Sequence, residues 1–340
     1  MSAGPLQVST VDYHTGGEPF RIVSGGIPPL QGATVGQRRR WAADNLEAVR
    51  RLLVDEPRGH ADMYGGFVTP ADDDGADLGV VFFHNAGYST ACGHGTIALA
   101  TWAVDSGVVA VSGPGSHDMV IDVPSGRLPV TVEVDDHGRV TGVAFRNVPS
   151  YVAVAEVDVE VAGRRVDVDI AFGGAFYAIL PAADVGMSIE PAQLPAIIGV
   201  CRAIKDHLNA TAPPQHPEDP RLAGVYGVIL VEDLPDTDGA DLVQRNVTVF
   251  ADGEVDRSAT GSGTSARLAL LHAQGRLPVG GTLENRSIVD SVMTGRILGP
   301  TEVVGIPAVD TEVAGTAFRT GIHHFTLDLR DPLGTGFLLR

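Results

Sequence analysis

Basic residues are scarce in this chain. Lysine and arginine total 24 against 42 aspartates and glutamates, a formal net charge of −18 at pH 7. Gripping nucleic-acid phosphates or an anionic membrane surface needs clustered positive charge, so neither partner is expected. Aromatic residues make up only 6% of the chain, so Val, Ala, Leu and Ile must fill most of the core. Only two cysteines, Cys92 and Cys201, occur in 340 residues. That argues against a disulfide framework and fits a reducing, cytoplasmic setting. No run approaches the roughly 20 apolar residues of a membrane-crossing helix. Met1 to Thr10 also lacks the basic and apolar segments of an export signal.

Glycine and proline, by contrast, are plentiful. The 42 glycines and 22 prolines fall mostly at separate turns, which argues for many short strands. The 44% hydrophobic content is enough for a sizeable core, and the length suits two domains of ordinary size. Gln7 to Asp12 alternates as a strand and runs into a loop from His14 to Pro19. Helical spacing marks Asn45 to Val54, and Leu78 to Phe83 reads as a buried strand. Val-rich alternation covers Tyr151 to Ile170, and Phe172 to Ala178 reads as a strand with an early bend. A helix from about Pro191 to Leu208 precedes a polar, Pro-rich loop at Ala210 to Arg221, followed by strands Gly224 to Val231 and Asn246 to Phe250. The expected class is α+β with two similar domains and a site between them. The first comprises 1–150 completed by 325–340, and the second 151–324.

Two segments echo each other about half a chain apart. Ala91-Cys92-Gly93-His94-Gly95-Thr96 and Ala259-Thr260-Gly261-Ser262-Gly263-Thr264 both read as glycine-rich turns entering a helix, the first to about Gly107 and the second to about Gly275. A helix N-terminus offers unpaired N–H groups and the positive end of a dipole, and glycine lets an anion approach. Two such termini facing one cavity would clamp a carboxylate and supply the positive potential an acidic protein lacks. One glycine-rich turn alone would signify only tight bending; the duplication favours the anion site. At Cys92 a helix N-terminus is expected to hold the thiol pKa below its free value of about 8.5, making it a base or nucleophile. His94 is placed to orient substrate or stabilise a thiolate, and Asp256 to pair with a cationic group.

The remaining histidines provide no convincing metal set. His323 and His324 point to opposite faces if they lie in a strand, and His60 and His84 lack companions at ligand spacing. No metal is expected. With no dinucleotide fingerprint and no P-loop, no nucleotide is expected either.

With the stretches His14 to Arg21, Gly59 to Gly65, Cys92 to Thr96, Phe172 to Ala178 and Asp256 to Thr264, the sequence resembles the proline racemase family over nearly its whole length. The resemblance implies a diaminopimelate-epimerase-like fold, two pseudo-symmetric domains each with a curved sheet around a central helix. It implies no cofactor, a small imino acid as partner, and a homodimer as the common assembly. Racemases and epimerases of the family carry two cysteines on opposite faces of the substrate α-carbon. Here Cys92 matches the first, but Thr260 stands at the second, and a threonine hydroxyl is far too weak an acid to replace a thiol near neutral pH. The cysteine/threonine pairing resembles the branch that dehydrates trans-3-hydroxy-L-proline, with racemisation or 4-hydroxyproline epimerisation by a single thiol as the alternative. By the same resemblance the substrate carboxylate meets the backbone N–H groups of Gly93, His94, Gly261 and Ser262. The ring nitrogen meets Asp256 and the His94 side chain, Tyr64 and Phe250 wall the ring, and Thr260 hydrogen-bonds the departing hydroxyl.

Overall fold

In the computed structural model, which describes residues 6–235 and 239–339, the first described element is a hairpin. β1 (Leu6–Thr15) pairs antiparallel with β2 (Glu18–Gly25), Thr15 opposite Glu18. The segment from His14 to Pro19, expected as a loop, is therefore strand on both sides of a two-residue turn. Gly16 and Gly17 have φ of 59° and 89°, the positive values that let a tight turn match the twist of its strands.

The elements continue as α1 (Val35–Asn45), α2 (Glu47–Val54), β3 (Tyr64–Thr69), β4 (Leu78–His84), α3 (Gly93–Asp105), β5 (Gly115–Val123), β6 (Gly126–Val134) and β7 (Val140–Arg146). Then come β8 (Ser150–Val161), β9 (Arg164–Phe172), β10 (Phe176–Pro181), α4 (Leu194–Thr211), β11 (Val225–Asp233), β12 (Leu242–Phe250) and β13 (Glu254–Asp256). The last are α5 (Gly261–Ala273), β14 (Thr282–Arg286), β15 (Val292–Val303), β16 (Ile306–Gly315) and β17 (Ala317–Leu327). No helix among the described residues is long and apolar enough to cross a membrane.

The chain divides into two units. The first runs to Val143 and resumes at Thr316; the second is Ala144–Gly315. A seam after residue 324, as expected from the sequence, would cut β17, which pairs with β1 from Leu327 opposite Leu6 to Ala317 opposite Thr15. The Val-rich run from Tyr151 to Ile170 is likewise two strands, β8 and β9, turning at Ala162 and Gly163.

In the first unit the strand order is β17-β1-β2-β3-β4-β5-β6, with β2–β3 and β4–β5 parallel and the rest antiparallel. One face packs α1 and α2 through Val35, Ala42, Leu52 and Leu53 against Val23, Phe67 and Phe83. α1 carries three successive arginines and no apolar stripe, so periodicity does not announce it. It is held instead by Thr34, whose hydroxyl caps the Gln37 N–H at 3.2 Å, and by buried Arg38, which donates to the Pro70 carbonyl at 2.6 Å.

In the second unit the strands close on themselves in the order β8-β9-β10-β11-β12-β14-β15-β16, and β16 pairs again with β8. The period of two sorts the side chains. Val228 and Leu230 of β11 join Ile197, Cys201 and Ile204 of α4 in one cluster. Ile229 and Val231 turn the other way, onto Ala266 and Leu270 of α5. A helix enclosed on every side has no polar face. Gly261 to Leu271 of α5 are buried without interruption, as are Gly93 to Ala103 of α3. Small residues crowd the first turn of each helix, where a Cβ added at Gly95 or Gly263 would lie within 2.9 Å of neighbouring side chains.

Candidate active site

Cys92 is the N-cap of α3, with extended backbone (φ −155°, ψ 96°). Its carbonyl accepts from both the N–H and the hydroxyl of Thr96, each at 2.9 Å, which closes the first turn. The thiol is buried, and its Sγ lies 3.5 Å from Nε2 and 3.7 Å from Nδ1 of His94. Gly95 leaves room for the sulfur and the Phe20 ring. A Cβ on Gly95 would sit 2.6 Å from this Sγ and 2.5 Å from Cε2 of Phe20, distances that real side chains do not tolerate.

His94 is fixed from several directions. Its carbonyl accepts from the Thr15 hydroxyl at 2.9 Å. Its ring meets Tyr64 edge-on at 4.9 Å between centroids and Phe20 at 5.9 Å. The Tyr64 hydroxyl donates to Ser89. Cys92, Gly93, His94 and Tyr64 thus form one buried cluster at the start of α3, and Thr15 and Phe20 belong to it. Arg21, four residues past Gly17 of the hairpin turn, is a structural cation. It makes a two-pronged ion pair with buried Asp12 at 2.8–3.1 Å, donates to the Arg58 carbonyl at 2.9 Å and lies 4.3 Å over the Phe325 ring.

The second unit holds the other group. Thr260 is the N-cap of α5, with φ 58° and ψ 92°, a left-handed backbone that is unusual for a β-branched residue and costs on the order of 1–3 kcal/mol. Its surroundings impose it. The Thr260 N–H donates to the Ser258 hydroxyl at 3.1 Å, and its hydroxyl donates to Thr248 Oγ1 at 2.8 Å. The preceding carbonyl, of Ala259, accepts from Asn246 at 2.8 Å and from the Thr264 hydroxyl at 3.0 Å. Buried Asp256 lies in register with Thr248 across β12 and β13, and its Oδ1 accepts from the Ser258 N–H at 2.8 Å.

An aromatic chain runs from the same place. Phe250 stacks on Tyr226 at 5.6 Å, Tyr226 meets Tyr177 at 6.0 Å, and the Tyr177 hydroxyl shares a 2.7 Å hydrogen bond with Ser262. Asn246, Thr248 and Tyr226 are not visible as site residues in the sequence. Alternation in β12 suggests that its polar positions face water, yet Gln244, Asn246 and Thr248 are all fully buried: Asn246 and Thr248 serve the start of α5, and Gln244 accepts from Arg267 within the helix at 2.9 Å. Cys92, Gly93, His94 and Tyr64 thus lie in the first unit, and Asp256, Thr260, Gly261, Ser262 and Phe250 in the second. Among the described residues no group of three or more His, Cys, Asp or Glu could hold a metal ion.

The family model described as proline racemase matches residues 10–338. A trans-3-hydroxy-L-proline dehydratase from Azospirillum brasilense is 46% identical over 335 residues, spanning 98% of this chain and 98% of its own. A 3-hydroxyproline 2-epimerase from Burkholderia multivorans is 44% identical with the same coverage of both chains. Among solved structures, a hydroxyproline epimerase from Agrobacterium vitis with bound trans-4-OH-L-proline superposes with a TM-score of 0.90 at 31% identity, covering 98% of this chain and 96% of that one. The likeness shows the fold as α+β of the diaminopimelate-epimerase-like kind, sheet-rich with few helices.

Proposed function

The chain belongs to the proline racemase family, and we propose that it dehydrates trans-3-hydroxy-L-proline to Δ1-pyrroline-2-carboxylate without a cofactor. One observation carries this reading: a buried thiol beside an imidazole caps one central helix, and a threonine caps the other. The Cys92 thiolate removes the α-proton. The released electron pair forms the Cα–Cβ double bond and expels the hydroxyl on the β-carbon. The enamine then tautomerises to the cyclic imine. A hydroxyl on the 4-carbon is one bond too far for this elimination. Thr260 withholds the second thiol that would return a proton to the opposite face of the α-carbon.

Binding follows from the same residues. The N–H groups of Gly93, His94, Gly261 and Ser262 receive the substrate carboxylate. Asp256 complements the cationic ring nitrogen, and Tyr64 and Phe250 pack against the ring. The A. brasilense dehydratase supports this assignment. The B. multivorans epimerase supports a second one, epimerisation at the α-carbon with Cys92 as the single catalytic thiol. Incubation with proline, trans-3-hydroxyproline and trans-4-hydroxyproline separates the two. Dehydration gives a product that reacts with o-aminobenzaldehyde from the 3-hydroxy substrate alone. Change of optical rotation without water loss favours epimerisation.

A further inference from the structure

Expelling hydroxide from carbon needs an acid, and the substrate's geometry says where it must stand. In trans-3-hydroxy-L-proline the hydroxyl lies opposite the carboxylate and therefore on the same ring face as the α-hydrogen. The base that takes this hydrogen shares its side of the ring with the leaving oxygen. Around Cys92 the side chain equipped to donate a proton is His94, buried, 3.5 Å from the sulfur, its ring packed by Tyr64 and Phe20 and its backbone carbonyl held by Thr15. Thr260 is unsuited to the task. Its hydroxyl hydrogen is engaged by Thr248, and a threonine is a poor acid.

We infer that the His94 imidazolium is the acid that protonates the departing 3-hydroxyl. The assignment rests on the dehydratase reading. The cycle balances within the pair. Cys92 and His94 begin as thiolate and imidazolium. The thiolate takes the α-proton and becomes a thiol, while the C–H electron pair becomes the new C–C π bond and the C–O bond breaks. The imidazolium gives its proton to that oxygen, which leaves as water. Proton transfer from thiol to imidazole across the 3.5 Å contact restores the starting pair. This role also suits the charges better than contact with the ring nitrogen, because an imidazolium gains nothing by donating to an ammonium.

The test compares two leaving groups in one protein. Fluoride is a far weaker base than hydroxide and departs with much less need of an acid. Wild-type, His94→Asn, His94→Gln and Cys92→Ser proteins are given trans-3-hydroxy-L-proline and trans-3-fluoro-L-proline, and water elimination and fluoride release are timed in each preparation. Taking the ratio within one preparation cancels any difference in folded fraction. In both His94 variants the ratio of water elimination to fluoride release is expected to fall about 100-fold or more, the lower range of general-acid contributions. Cys92→Ser is expected to lose both reactions. An unchanged ratio in the His94 variants overturns the assignment. Wild-type protein that releases fluoride but never water contradicts the dehydratase reading itself, and the assignment falls with it.

Discussion

The two helix-entry turns share a sequence plan and differ in how they hold the residue at their head. Cys92 sits in ordinary extended backbone, with its sulfur against an imidazole. Thr260 sits in left-handed backbone, its amide and hydroxyl both hydrogen-bonded to neighbouring side chains and the preceding carbonyl gripped by Asn246 and Thr264. The first turn sets a thiol beside an imidazole, which suits the proton exchange we propose for it. The second is arranged around a group held still. One sequence plan thus enters a buried helix in both units through different backbone at the cap.

That contrast is most severely tested by removing the sulfur. Cys92→Ser is expected to lower dehydration of trans-3-hydroxy-L-proline by about 10³-fold or more, because a serine hydroxyl is a far weaker acid and rarely available as its anion. The check is product formation together with loss of α-hydrogen label. Making the turns chemically alike should blunt the contrast from the other side. Thr260→Cys is expected to raise inversion at the α-carbon by about 10²-fold over wild type, the low range for an added general acid or base, read by chiral chromatography.

Smaller effects separate the turns by packing. Gly95→Ala pushes a methyl to 2.6 Å from Sγ of Cys92 and 2.5 Å from the Phe20 ring, and overpacking of that kind costs roughly 1–3 kcal/mol. Its expected signature is a lower melting temperature with a drop in kcat. Gly263→Ala meets the ends of two side chains, Cδ1 of Ile229 at 2.7 Å and Cγ2 of Thr260 at 2.9 Å, and is expected to be milder in both measurements. The smallest effect belongs to the clamp. Asn246→Ala removes one of the donors to the Ala259 carbonyl, with an expected stability loss of about 1–2 kcal/mol by denaturant unfolding.

Much of this arrangement is legible in the chain. The twin motifs mark both buried helices because a glycine-rich entry into a run of small and apolar residues suits a helix enclosed on all sides. The thiol, the imidazole and Asp256 announce themselves by type. What stays hidden has physical causes. α1 escapes periodicity because Arg38 buries its guanidinium on backbone carbonyls and no apolar stripe remains. The hairpin at Gly16 and Gly17 reads as loop because both central residues are glycine. Thr248 and Asn246 are concealed by alternation itself: a polar residue at every second position signals water, and here it signals hydrogen bonds to the head of α5. Tyr226 gives no sequence signal at all; only the fold sets it between Phe250 and Tyr177.

The central claim, a proton taken by sulfur from one side with no thiol to return it on the other, is tested most directly by partial turnover of trans-3-hydroxy-L-proline in deuterated water. The substrate left at half conversion is recovered and its configuration at the α-carbon determined. The expected result is residual substrate entirely of the L configuration, alongside Δ1-pyrroline-2-carboxylate. Accumulation of the deuterated α-epimer, with no water lost, would contradict the account.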